Sequence, residues 1–267
     1  MGPSPCPPTV MTLLAHAITG EPPASLDGEG LRGRPLRWSG TGDIGLWSTR
    51  WDPADKLDRN DALEHHRLVE RICAAQPCLP VRFGTTFATD EDARASLSTR
   101  ADDLHSALDR VAGKSELAVT LLWAKNSGGR GDTPRPADPA IGPGRRFMEE
   151  RRARYAAREA QKARAAELLE CLVAELSVER SLVWHEMCTS DRVAVSLAVL
   201  IPSERATERK AVLERLASRF NDVVGVVSGP WPPYSFASIE QSGGAAPRRP
   251  TGPGAEPPTG SAPQSRS

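Results

Sequence analysis

The chain has 267 residues, 39% of them hydrophobic and 25% charged, which is enough for one large domain or two of ordinary size with real cores. Its 34 basic residues balance 34 acidic ones, so its net charge gives no general attraction to nucleic acid or anionic membranes. No apolar run approaches the roughly 18 residues of a membrane span, and the start of the sequence lacks a signal-type apolar core. We therefore expect a cytoplasmic protein.

Proline, glycine and cysteine usage predicts how the chain is divided. Residues 1–8 and 239–267 are predicted to be a disordered lead and tail, because they contain too little apolar surface to fold. A Gly/Pro-rich break at 126–140 is predicted to be a flexible linker. The expected domains are 9–112, including a connecting helix, and 113–238, which contains the linker. The five cysteines are scattered without a C-x-x-C pair, which favours reduced thiols.

The first domain is predicted to alternate strands and helices along the chain. Its elements are a strand at 9–18, a hairpin at 35–51, a helix at 58–75, a strand at 79–83 and a helix at 90–111. In the 79–83 strand, Pro80 suits an edge or a strand start. Gly84 then allows the chain to turn. The 90–111 helix is expected to connect the two domains.

The second domain has a regular predicted order. Its elements are a strand at 116–124, a long charged helix at 145–177, strands at 180–188 and 192–200, a helix at 204–219 and a strand at 222–227. This β-α-β-β-α-β order is the ferredoxin-like pattern. The first domain has nearly the same order, with residues 19–34 in place of its first helix. We therefore predict an α+β protein with two ferredoxin-like sandwiches.

Motifs for catalysis or nucleotide binding are weak. Two strings fit G-x-G-x-x-G, at 28–33 and 40–45, but neither follows a strand and opens a helix as dinucleotide binding requires. No Ser-His-Asp or paired-carboxylate arrangement stands out. We predict no enzyme activity, no cofactor and no catalytic residue.

His65 raises the question of a metal ligand or a general base. It lies three and four residues before Leu68 and Val69, on the apolar face of its helix. This spacing favours a buried histidine bonded to a backbone carbonyl over a metal ligand. We predict a structural role for His65 and no metal site.

Residues 145–164 hold eight basic and three acidic side chains. Pairs such as Glu150 with Arg154 and Glu159 with Lys162 have the spacing of ion pairs on one helix. The pattern favours a solvated helix face, with nucleic-acid binding as the alternative.

The segment GPWPPYSF at 229–236 follows the last predicted strand. Its three prolines remove backbone donors and favour an extended course, so it is not expected inside a sheet. Its three aromatic residues either cap the core or form an adhesive surface. Physical reasoning leaves both interpretations open.

Two segments resemble a known family. LPVRFGTTF at 79–87 and GPWPPYSF at 229–236 are similar to the signature segments of the gas vesicle protein F/L (GvpF/GvpL) family. His65-x-x-Leu68-Val69, the 142–148 segment and the 191–200 strand fit the same pattern. The first strand departs from it, because family members often begin with an aromatic-rich strand and 9–18 has no aromatic residue.

The resemblance implies a role in gas vesicle formation, by contact with the small hydrophobic shell protein and other accessory proteins, and a location in the cytoplasm and at the vesicle. We expect an assembly factor or chaperone. The alternatives are a minor component of the vesicle wall and, with less support, a small-ligand-binding protein or enzyme. Strand addition at 79–83 is one expected binding mode.

Site residues are expected in the two signature segments. The residues predicted to bind a partner are Arg82, Phe83, Gly84, Trp231, Pro232, Pro233, Tyr234 and Phe236. The residues predicted to be structural are His65, Leu79, Pro80 and Gly229.

Overall fold

A computed structural model describes residues 11–22, 28–124 and 143–237. The predicted lead at 1–8, linker at 126–140 and tail at 239–267 lie outside the described residues. The strands are β1 (Thr12–Thr19), β2 (Leu36–Thr41), β3 (Ile44–Trp51), β4 (Cys78–Pro80), β5 (Thr86–Phe87), β6 (Lys114–Trp123), β7 (Val183–Ser190), β8 (Val193–Pro202) and β9 (Val223–Trp231). The helices are α1 (Arg59–Ala75), α2 (Asp90–Ser98), α3 (Ala101–Val111), α4 (Pro143–Leu176) and α5 (Ala206–Ala217).

The strands form two antiparallel sheets. The first has the order β2-β3-β1-β4, with β5 also paired to β1, and the second has the order β7-β8-β6-β9. The predicted α+β class is confirmed. Among the described residues, no helix is long and apolar enough to cross a membrane.

Helices α2 and α3 lie between the two sheets. Leu13 and Ile44 of the first sheet, Leu104 of α3 and Leu200 of β8 belong to one buried cluster. The opposite face of β8 packs against α4 and α5 through Val195 and its neighbours. Because β8 is buried on both faces, its sequence is a nearly continuous apolar run rather than an alternating one.

The outer layers are α1 on the first sheet and α4 with α5 on the second. Leu68 and Ile72 of α1 pack against Trp47 of β3. Helix α4 is buried only in its second half, where Ala165 and the leucines that follow it meet the sheet. Residues 144–163 of this helix are exposed, which agrees with the solvated face predicted for the 145–164 region.

Residues 28–35, which include a 3-10 turn at Leu31–Gly33, lie against the start of α1. Arg32, in a left-handed conformation with φ 53°, places its guanidinium on the buried Asp61 in two hydrogen bonds of 2.7 and 2.6 Å. Asp61 also completes a capping box with Asp58 at the start of α1. The hydrogen bond from Arg32 lowers the pKa of the Asp61 carboxyl. This ion pair attaches residues 28–35 to α1.

Three predicted elements differ in the structure. The 90–111 helix is two helices, because Arg100 leaves helical geometry at φ −129° and the chain bends between α2 and α3. The 79–83 strand ends at Pro80, and Arg82 to Thr85 form a turn with Gly84 at φ 85°. The last strand continues past 227 to Trp231. Because β9 is an edge strand, it tolerates Pro230, which has no backbone N–H to donate.

The structure also pairs two of the cysteines. Cys73, in the last turn of α1, forms a disulfide with Cys78, which begins β4, and their Cα atoms are 5.2 Å apart. The expectation of reduced thiols is wrong for this pair. The tight turn after α1 brings the two cysteines side by side, which their spacing in the sequence did not indicate.

Candidate functional site

A buried polar network joins β1, α1 and β3. The Val81 carbonyl can only accept a hydrogen bond, so Nε2 of His65 donates to it at 3.2 Å. Nδ1 of His65 then accepts from Nδ1 of His16 at 3.0 Å, and Nε2 of His16 accepts from the Thr49 hydroxyl at 2.8 Å. Thr49 in turn accepts from the backbone N–H of Leu31 at 3.3 Å. Every donor in this hydrogen-bonded network meets one acceptor, which fixes the tautomer of both histidines.

Both histidines are neutral in this environment. Burial, with a smaller contribution from the neighbouring His65, lowers the pKa of His16 to about 3. Burial lowers the pKa of His65 to about 4, against the opposing effect of its bond to Val81. Side chains with exposed fractions of 0% and 2% have little water to stabilise a positive charge. The network therefore links α1 to β1 and β3 through buried, neutral hydrogen bonds.

The 229–236 segment is held against β6 by two features. Gly229 adopts φ 109°, and a Cβ atom there would lie 2.6 Å from the backbone oxygen of Glu116. The buried Glu116 carboxylate accepts hydrogen bonds from the backbone N–H and the hydroxyl of Ser235, both at 2.8 Å. The segment therefore leaves the edge of the sheet and folds back onto it.

This fold-back brings aromatic residues onto α1. The Trp231 ring centroid lies 5.4 Å from that of His66, and the Tyr234 hydroxyl lies 3.2 Å from Nδ1 of His66. Nε2 of His66 lies 3.4 Å from the Glu70 carboxylate. We call Trp231, Tyr234, His66 and Glu70 the aromatic corner. Burial, then the charges of Glu70 and Glu116, raises the pKa of Tyr234, so its hydroxyl stays protonated and can donate to His66.

A groove of about 500 Å³ opens beside the aromatic corner. Its walls are the 73–78 turn after α1, the start of β6 at Lys114 and the Trp231–Pro233 stretch. Trp231 is 38% exposed, whereas Pro232 and Pro233 are buried. The site thus presents one accessible aromatic ring on a rigid backbone, next to a concave surface.

The structure separates the residues that the sequence analysis grouped as partner-binding. Phe83 is half-buried, with its ring 5.3 Å from that of His65, and Arg82 and Gly84 are exposed on the turn after β4. Neither the turn nor Phe83 lines the groove. Phe236 is 7% exposed and lies in the cluster between the sheets, so it packs in the core.

The structure leaves little edge for strand addition at 79–83, although β4 is the terminal strand of its sheet. The strand is only three residues long, and Cys78, Leu79 and Pro80 are all buried. Leu79 and Pro80 pair with β1 at Ile18 and Ala17, and the N–H of Val81 still donates to the His16 carbonyl at 2.8 Å. The chain turns from Arg82 onward, so the outer edge of β4 is short.

Sequence reasoning missed several residues of the site. Glu116 and His16 are polar residues inside apolar strands, and this pattern was the available signal for buried hydrogen-bonding roles. His66 and Glu70 carry no such signal, because an exposed His-Glu pair at i,i+4 is common on any helix. Within 11–22, 28–124 and 143–237, no three His, Cys, Asp or Glu side chains are grouped to hold a metal ion.

Comparison with known proteins identifies the family. The sequence model for "Gas vesicle synthesis protein GvpL/GvpF" matches residues 13–238, most of the chain and both sheets. The chain belongs to the GvpL/GvpF family. Membership implies involvement in gas vesicle formation.

Individual relatives agree with the family match. Gas vesicle protein L2 of Halobacterium salinarum is 30% identical over 178 residues, which are 60% of this chain and 63% of that protein, so slightly less than two thirds of the relative is matched. Crystal structures of GvpF from Microcystis aeruginosa and Anabaena sp. PCC7120 have TM-scores of 0.67 and 0.66. They cover 85% and 88% of this chain and 99% of each GvpF chain. At 16% identity, these two likenesses concern the fold alone.

The Glu116 contacts give a first prediction for this GvpL/GvpF protein. Glu116→Gln keeps the size of the side chain but removes its charge. The amide oxygen accepts from the Ser235 N–H and the amide group donates to the Ser235 hydroxyl, so both contacts become neutral hydrogen bonds. We expect the free energy of unfolding to fall by about 1 kcal/mol, since hydrogen bonds to charged groups contribute roughly that much more than neutral ones. Urea denaturation measures the change, with the exposed Glu175→Gln as control. Equal stability of both variants would contradict the anchoring role.

Proposed function

We propose that this chain is an assembly factor of gas vesicle formation, which binds the small hydrophobic shell protein at the aromatic corner and also contacts other accessory proteins. The observation that carries the proposal is the accessible Trp231 ring beside a groove of about 500 Å³. Trp is among the residues that contribute most when a partner covers them. We place the protein in the cytoplasm and at the growing vesicle.

Rigidity of the segment favours this role. Pro230, Pro232 and Pro233 restrict the backbone, and the Ser235 bonds to Glu116 fix its end. A segment that is already ordered loses little conformational entropy on binding, so its aromatic contacts convert efficiently into affinity.

The chemistry of the proposed partner fits such a surface. A shell subunit that lines a gas space exposes apolar surface, and before assembly that surface is prone to aggregate. A protein that covers part of it with an aromatic ring and a groove shields the subunit until it is delivered to the shell. We propose no catalytic step and no cofactor in this role.

We further infer that each sheet with its helices is a ferredoxin-like sandwich. Both sheets place their strands in the order second, third, first, fourth, and the second domain has the complete β-α-β-β-α-β sequence. The first domain has the 28–35 loop in place of one helix. The boundary at 112/113 falls between the end of α3 and the start of β6, so we propose the domains 9–112 and 113–238.

Trp231→Ala tests the proposed site. We expect the affinity for the purified shell protein to fall by about 2 kcal/mol, roughly thirtyfold, with little change in melting temperature because the ring is partly exposed. Binding is measured by pull-down of co-expressed gas vesicle proteins and by titration. The control is Tyr155→Ala, which removes an aromatic ring that is 57% exposed on the projecting half of α4.

Two results would contradict the proposal. A lower melting temperature with unaltered affinity would make the segment a structural lid. Retention of the chain in vesicles after repeated washing would favour the alternative, a minor component of the wall.

A further inference from the structure

A second groove, of about 550 Å³, lies on the other side of Lys114 from the aromatic corner. Four cationic side chains line it: Arg110, Lys114, Arg205 and Arg209. They come from the end of α3, the start of β6 and the start of α5, so the tertiary structure brings together charges that are far apart in the sequence. We call this feature the basic groove.

The positive charge of the basic groove is largely uncompensated. Arg205 lies 3.5 Å from Glu208, and the one carboxylate in the lining, Glu179, accepts a hydrogen bond from Ser181. Among the described residues, no carboxylate lies within ion-pair distance of Arg110, Lys114 or Arg209. In a chain with a net charge of zero, this concentration of like charge is a feature of the groove and not of the whole surface.

The floor of the groove is apolar. Val178 and Leu182 are half-buried there and pack toward the core of the second domain and the cluster between the sheets. Among the described residues of the lining, none is aromatic. Nucleotides and single-stranded nucleic acids are typically held by stacking on aromatic rings. An apolar floor with a cationic rim instead matches a peptide that carries both apolar and acidic side chains.

Parts of this sequence outside the described residues do not have that character. Residues 125–142 contain three basic and two acidic side chains, and residues 238–267 contain three basic and two acidic ones. Neither segment is complementary to a cationic groove.

We propose that the basic groove binds an extended segment of a partner protein in which acidic and apolar side chains alternate. The apolar side chains of such a segment pack on Val178 and Leu182, and its carboxylates pair with the four cationic side chains of the same lining. The inference does not depend on what the aromatic corner binds, because the two grooves share only Lys114.

The test uses the full chain and a fluorescein-labelled peptide of four Glu-Leu repeats, with binding followed by fluorescence anisotropy. We expect saturable binding, weakened about tenfold between 50 and 300 mM NaCl because partly exposed charges are screened. The variant Arg110→Gln/Arg209→Gln should also bind about tenfold more weakly, since it removes two of four cations. A peptide of four Gln-Leu repeats should not bind measurably.

A matched control removes the same charge elsewhere. Arg215→Gln/Arg219→Gln changes two exposed arginines near the other end of α5, and it should bind the Glu-Leu peptide as the parent does. Melting curves of both variants check that they are folded. Equal weakening by the two double variants, or no binding of the Glu-Leu peptide, would overturn the proposal. Binding of inorganic polyphosphate or single-stranded DNA in place of the Glu-Leu peptide would also overturn the proposal.

Discussion

Gly229→Ala is expected to lower the free energy of unfolding by about 3 kcal/mol, or roughly 6–12 °C in melting temperature for a folded part of this size. At φ 109° an alanine is strained whatever space surrounds it. Its Cβ would in addition lie 2.6 Å from the backbone oxygen of Glu116 and 3.1 Å from a methyl group of Leu117. Relief of that contact requires β9 to move away from β6.

Gly42→Ala is the matched control for this prediction. Gly42 also has a positive φ, 64°, but nothing lies within 4 Å of its added Cβ. This variant carries only the backbone strain of a left-handed residue, about 1 kcal/mol. Thermal and urea unfolding of the two variants separate the cost of backbone strain from the cost of the steric clash between the added Cβ and Glu116. Equal losses would show that the close approach to Glu116 is not important.

Gly229→Ala should also weaken binding at the aromatic corner. The residue stands two positions before Trp231, so a shift of the backbone displaces the ring from His66. We expect a loss of affinity for the shell protein similar to that of Trp231→Ala, accompanied by the loss of stability that Trp231→Ala lacks.

Acidification from pH 6.5 to 4.5 is expected to destabilise the protein by roughly 4 kcal/mol through His16 and His65. In the unfolded chain both histidines bind protons as the pH falls below 6.5, whereas in the folded chain their pKa values are about 3 and about 4. The unfolded state therefore binds about two more protons in this interval. The stabilisation is complete above pH 6.5 and is lost progressively below it.

Two carboxylates paired with arginines titrate in a lower pH range. Hydrogen bonds from Arg32 and Arg164 lower the pKa values of Asp61 and Asp222 from an ordinary value of 3.8. Their stabilisation is present above that value and is lost as the pH falls through it. The interval from pH 6.5 to 4.5 thus separates the effect of the histidines from that of these two carboxylates.

Urea unfolding at several pH values measures this effect. We expect the free energy of unfolding to fall with a slope that approaches 2.7 kcal/mol per pH unit for two histidines. His105→Gln is the control, because this partly exposed histidine beside Asp43 lies outside the buried network. A free energy that stays constant from pH 6.5 to 4.5 would show that His16 and His65 are not held neutral.

Local patterns predicted much of the fold. The α1 helix begins and ends within a residue of its prediction, because its capping residues and its apolar spacing are local features. The 90–111 helix was predicted as continuous because the apolar spacing runs through the break. The bend at Arg100 is a tertiary feature, since α2 packs mainly on β2 and β3 whereas α3 packs mainly on β4 and β3.

The candidate site was only partly accessible from sequence. The GPWPPYSF segment was noticed for its prolines and aromatics, yet physical reasoning did not decide between a core cap and a binding surface. The structure divides the segment, since Phe236 packs in the core and Trp231 stays accessible. His66 joins Trp231 and Tyr234 across more than 160 residues of sequence, and no local pattern indicates a contact at that separation.

The sequence by itself determined the α+β class, the positions of most elements and the family resemblance. Periodicity, capping and short signature segments depend only on residues that are close together in the sequence. The tertiary structure alone decided which polar residues meet when they are distant in the sequence. The His16–His65–Thr49 network, the Arg32–Asp61 pair and the basic groove all join segments that are distant in the chain. Such contacts follow from how sheets and helices stack, because burial brings side chains together according to the face they occupy and not according to their order in the sequence.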